Sequence, residues 1–82
     1  MNFKSRATFV SKEVAIFDGI AIENGVAIGD VNIFIWKEDN KAGYNCNFAP
    51  TILSCYYDTE LISEAFYQNC LERLKNYWNI II

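Results

Sequence analysis

The chain has 82 residues, 52% of them hydrophobic and 16% aromatic, with a net charge of −3. That length makes one domain with a modest core, and that apolar content excludes disorder. No apolar run nears the ~20 residues of a membrane span and no basic-apolar secretory leader opens the chain, so the expected compartment is the cytoplasm.

Arg6–Val10 reads as a first strand, with Thr8 and Val10 inward and Phe9 outward, turning at Ser11–Glu13. From Val14 to Tyr57, large apolar residues then fall on every second position, the period of a strand. Turn signals interrupt them at Asn24-Gly25, Lys37–Ala42 and Ala49-Pro50. Asn24-Gly25 suits a two-residue hairpin loop, because both its central positions need positive φ. Such a loop pairs Ile22 with Ala27, Ile20 with Gly29, Asp18 with Val31, Ile16 with Ile33 and Val14 with Ile35. These pairs share one face, spoiled only by Asp18 and Gly29. Asp18-Gly19 also fits a separate turn or a bulge.

A loop at Glu38–Lys41 sets Tyr44 opposite Ile35, Cys46 opposite Ile33 and Phe48 opposite Val31, on the same face. A fifth strand is expected beyond Ala49-Pro50, with Leu53, Cys55 and Tyr57 inward and Ile52, Ser54 and Tyr56 outward. Past Tyr57 the period changes. Asp58 and Thr59 suit a helix N-cap, and Glu60 and Glu64 suit the positive end of its dipole. Ile62, Phe66, Cys70, Leu74 and Trp78 recur every four residues, predicting one amphipathic helix over roughly Thr59–Trp78. The fold class is α+β: an antiparallel meander of about five strands with a C-terminal helix packed on one face. Ile16, Ile33, Cys46, Phe66 and Cys70 should be buried together.

Little in the chain serves catalysis. It has no His, which removes the Ser-His-Asp and Cys-His arrangements. Three cysteines without CxxC spacing describe neither a disulfide framework nor a zinc site, so they are expected as buried thiols. Asp18 and Asp30 come close across the hairpin but on opposite faces, which spoils a carboxylate pair. No GxGxxG, P-loop or EF-hand pattern occurs. The chain is expected to be no enzyme and to need no cofactor or metal.

A binding role is the better lead. The outer face gathers Phe9, Phe17, Phe34, Trp36, Ile52 and Tyr56, fringed by Asn32, Asn45 and Asn47. Aromatics free of charge mark interface centres, and monomers seldom expose large apolar patches. The plainer alternative folds the N-terminal segment or the Ile80–Ile82 tail over that face. Between Glu13 and Trp36 there are four carboxylates (Glu13, Asp18, Glu23, Asp30) and no Lys or Arg. This acidity argues against direct nucleic-acid binding and suits docking on a basic surface, or simply solubility. The candidate partner-binding residues are Asp18, Glu23, Asp30, Phe34, Trp36, Asn45, Asn47 and Tyr56.

With its acid-only stretch Glu13–Trp36 and aromatic sheet face, the chain resembles the small acidic accessory proteins of phages and mobile elements, anti-CRISPR inhibitors among them. The resemblance implies stoichiometric blocking of a nucleic-acid-binding effector, by occupying its basic channel, in the host cytoplasm. A rival reading is a homodimeric structural or regulatory subunit that uses the aromatic face on itself.

Overall fold

The computed structural model describes residues 1–39, 41–51 and 57–78. Among them, four strands run in chain order: β1 (Asn2–Val10), β2 (Val14–Glu23), β3 (Val26–Glu38) and β4 (Lys41–Pro50). They form one antiparallel sheet of order β1-β2-β3-β4. One helix, α1 (Thr59–Trp78), lies across one face. The α+β meander is as expected, but with four strands rather than five, and β1 begins four residues before Arg6. The residues expected to form the fifth strand fall almost wholly outside those described.

The Asn24-Gly25 turn forms as the sequence predicts, with φ of 52° and 79° at its two residues. Glu23 pairs with Val26 and Ile22 with Ala27. The register then slips by one, and Ala21 pairs with Gly29. Ile28 is the extra residue, a β-bulge that turns its own side chain into the core at 3% exposure. Side chains alternate along a strand, so this slip exchanges the two faces of β2 relative to an unbulged hairpin.

Phe17 now pairs with Ile33 and Ala15 with Ile35, and both β2 residues are buried. Ile16 pairs with Phe34 and Asp18 with Asn32, on the opposite face. The expected burial of Ile16 and outward placement of Phe17 are therefore corrected. The physical reason is Asp18. An unbulged register would press its carboxylate into the core, where an unpaired charge costs several kcal/mol. Gly29 permits the slip, since a Cβ there would stand 2.6 Å from the Phe48 ring.

The β3–β4 register is as read: Ile35 opposite Tyr44, Ile33 opposite Cys46, Val31 opposite Phe48. A second bulge, at Thr8, separates the Ala7–Phe17 and Phe9–Ile16 pairs, leaving Phe9 outward as expected. Thr8 is exposed and its hydroxyl donates to Ile16 O at 3.3 Å, so it does not point inward as the sequence suggested.

Asp58 caps α1: its Oδ1 accepts from the N–H groups of Glu60 and Leu61 at 3.1 and 3.2 Å. Ile62, Phe66, Cys70, Leu74 and Trp78 then face the sheet, each no more than 4% exposed. They meet small residues on β2 (Ala15, Ala21) and branched ones on β3 (Val31, Ile33, Ile35). Phe3 rests on Phe66, with ring centroids 5.0 Å apart, and Tyr44 stacks on Tyr67 at 4.1 Å. Arg73 spreads over Phe17 at 5.0 Å and donates to the Ser5 hydroxyl at 2.8 Å, tying the helix to β1. At the far end, Trp78 Nε1 donates to Ser11 O at 2.7 Å and Lys37 Nζ to Trp78 O at 2.9 Å.

The bulged register makes a direct prediction. Phe17→Ala should cost about 3–5 kcal/mol, the usual loss for a buried aromatic. Ile16→Ala, on the other face, should cost nearer ~1 kcal/mol. Urea unfolding of the two variants checks the order, and the reverse order would mean an unbulged hairpin.

Candidate protein-binding surfaces

The helix covers one face of the sheet, and among the described residues no element covers the other, hereafter the bare face. On that bare face the register makes rows. Val14, Trp36 and Gly43 form one, and Phe9, Ile16, Phe34 and Asn45 the next. Arg6, Asp18, Asn32 and Asn47 follow, and then Lys4, Ile20, Asp30 and Ala49. Beyond the first row Glu38 pairs with Lys41, so an apolar stretch lies between that pair and the charged rows toward the other end. Phe9 is 51% exposed, Phe34 42% and Trp36 38%. The Phe34 and Trp36 rings sit 6.0 Å apart. Trp36 lies flat across β4, because Gly43 beneath it has no side chain; a Cβ there would stand 2.6 Å from the indole.

Of the candidate residues, Asp18, Asp30, Phe34, Trp36, Asn45 and Asn47 share this face. The sequence pattern puts Asp18 and Asp30 on opposite faces; the bulge makes them diagonal neighbours. Tyr56 and Ile52 lie outside the described residues. Phe17 leaves the outer face for the core. Lys4, Arg6, Val14, Ile16 and Ile20 join it unforeseen: Lys4 because β1 starts before Arg6, Arg6 because the bulge at Thr8 reverses its face relative to Val10, and the other three through the slip in β2.

Glu23 is placed elsewhere. It ends β2 on the helix side, where it lines a shallow depression with Tyr57, Asp58, Leu61 and Ile62. Glu60 and Glu64, on the first turns of α1, line a neighbouring groove of about 560 Å³ against Tyr44, Cys46 and Phe48 of β4. Glu23 with Asp58, and Glu60 with Glu64, thus line two separate depressions beside the start of α1, on the helix side. The sequence signal for this cluster is Glu60 and Glu64 in the first turns of a helix, a pattern that dipole compensation alone also explains.

The balance of charge separates the two surfaces. The bare face carries Lys4, Arg6 and Lys41 against Asp18, Asp30 and Glu38, three of each sign. It is neutral. The other four cations and seven carboxylates account for the whole net charge of −3.

All ten carboxylates are solvent-exposed. Among the described residues, no cluster of three His, Cys, Asp or Glu side chains could hold a metal, and no buried polar side chain lacks a partner. No described helix is long and apolar enough to cross a membrane.

The thiols of Cys46 and Cys70 are free. Cys70 is fully buried, while Cys46 is only half-buried, short of the complete burial expected for it. Desolvation pushes the Cys70 thiol up to about 12; Arg73 draws it down and Cys46 raises it further. Desolvation also raises Cys46, against a hydrogen bond with Ser63. Both shifts disfavour the thiolate, the reactive form of a cysteine. No family model, no curated protein and no solved structure matches the chain.

The Cys70 shift predicts alkaline behaviour. A thiol whose folded pKa lies above its unfolded value near ~8.5 stabilises the fold fully below that value. Its contribution falls as pH rises from there toward the folded pKa of about 12. Stability should therefore decline from about pH 8.5 upward, by at most ~1.4 kcal/mol per pH unit for one thiol. Cys70→Ala should lower stability overall and flatten that decline. Urea melts between about pH 7 and 10 measure both effects, and an equal slope in the variant would assign the decline to other groups.

Proposed function

We propose that this chain is a non-catalytic protein-binding domain that docks through its acidic end onto a basic partner surface. A nucleic-acid-binding effector, whose channel must attract phosphates, presents such a surface. Occupying that channel one-to-one would block the effector, as the resemblance to anti-CRISPR-type inhibitors implies. In this reading the chain binds no nucleic acid itself, needs no cofactor and works in the cytoplasm.

The observation that carries the reading is the placement of charge. The bare sheet face is neutral, while Glu23 and Asp58 line one depression and Glu60 and Glu64 another beside the start of α1. Recognition by carboxylates therefore shifts from Asp18 and Asp30, which stand beside Arg6 and Lys4 on the sheet, to this end. Asp58 is already committed to the helix cap, so Glu23, Glu60 and Glu64 are the recognition groups. Clustered charge of one sign speeds encounter with a basic partner and fixes its orientation.

Calorimetric titration against purified RNA-guided effectors tests the proposal. A stoichiometric complex that weakens steeply with salt is expected. Glu23→Lys with Glu64→Lys should cost at least tenfold in affinity, ~1.4 kcal/mol or more, with the fold intact. Asp18→Asn should change little. Affinity indifferent to both salt and the Glu reversals, or direct micromolar binding of nucleic acid by the chain alone, would sink the reading.

A further inference from the structure

The bare sheet face has a chemistry different from the acidic end, and it calls for a different occupant. We propose that it is a homodimer interface, in which two copies pack face to face about a twofold axis running along the strands between β2 and β3. That axis lays β1 of one copy over β4 of the other, and β2 over β3. It keeps the apolar rows of the two copies together.

The rows of the face fit this arrangement without change. Ile16 meets Phe34 of the second copy, and Val14 meets Trp36, each contact occurring twice as an isologous interface requires. Ile20 comes over Asp30 of the second copy, which brings that carboxylate beside Lys4 on the adjacent strand. Asp18 comes over Asn32, not over a carboxylate, and keeps Arg6 as its own neighbour. No like charges oppose each other. A face with three cations and three carboxylates is neutral, which favours a copy of itself over a strongly basic or acidic partner.

Shape and area agree. Trp36, flat on Gly43, leaves a level platform instead of a projecting ring. β2 and β4 are each 10 residues long. Four such strands, about 4.8 Å apart and rising about 3.4 Å per residue, present roughly 600 Å² of face. Two copies would then bury about 1,200 Å² in total, which reaches the range of specific interfaces. Aligned sheet packing is a standard way to seal two such faces. The acidic end, on the helix side, stays free, so this proposal and the preceding one stand or fall separately.

Sedimentation velocity over about 1–200 μM, a range that spans micromolar dissociation constants, tests it. A reversible dimer is expected. Phe34→Lys should convert it to a monomer with an unchanged far-ultraviolet spectrum. Lys4→Glu and Asp30→Lys should each weaken the dimer at least tenfold, because each sets like charges together twice. An equimolar mixture of those two variants should regain most of the lost affinity. In the mixed dimer one of the two symmetry-related contacts keeps its native Lys4–Asp30 pair, and the other carries the same pair with both signs reversed. A monomer at every concentration overturns the proposal. So does a dimer indifferent to Phe34→Lys, or a mixture no tighter than its two components.

Discussion

The side of the sheet that meets water is decided by one extra residue in β3. Ile28 opposes no residue of β2, and every β2 side chain beyond it changes face. Without the bulge, Asp18 would enter the core and Phe17 would leave it. With it, Phe17 closes the sheet side of the core, and Ala15 and Ala21 let α1 come close. Phe66 and Cys70 are fully buried in the core that these residues share. The bare face is the other consequence: Ile16 and Phe34 are neighbours on it because Phe17 and Ile33 are neighbours beneath it.

The helix reinforces the same choice of face by polar contacts at its edges. Arg73 could satisfy its guanidinium in water, yet it lies over Phe17 and donates to Ser5. Trp78 and Lys37 close the opposite corner through one carbonyl each. These bonds fix α1 lengthwise on the sheet, from the Glu23 end of β2 to the Ser11 and Lys37 end. Their individual worth is modest, about 1 kcal/mol for a net hydrogen bond. They act by fixing where the apolar stripe lands.

Much of this is legible in the residues, and the largest failure has one origin. The helix bounds, the Asn24-Gly25 turn and the β3–β4 register each rest on a strong local signal: a period, a turn dipeptide, an uninterrupted alternation. The β2–β3 register has two signals that conflict. Alternation favours Ile16 and Ile20 as core, whereas Asp18 on the same face argues against it. Hydrophobic counting outvotes the charge, although one buried carboxylate costs more than two exposed isoleucines. The candidate site inherits that error. Phe34, Trp36, Asn45 and Asn47, fixed by the secure hairpin, keep their face; Phe17 does not. Sequence proximity groups Glu23 with Asp18, yet five residues along a strand places two side chains on opposite faces.

The division of labour between the two surfaces follows from the same geometry. An aromatic patch and an acidic cluster on one face would have described a single mixed interface. The bulge instead leaves the sheet face neutral and puts the unbalanced carboxylates behind it, on the helix side. Contacts between apolar rows are insensitive to salt, whereas carboxylate encounter with a basic surface is screened within about 10 Å at moderate ionic strength. Two copies joined by their sheets about an axis along the strands would carry both acidic ends at the same end of the pair. A basic surface wide enough to touch both would then be held by two weak clusters at once, and the second engagement would be intramolecular. Affinity could thus be high without any buried ion pair, which is the arrangement expected of a small chain whose carboxylates are all exposed.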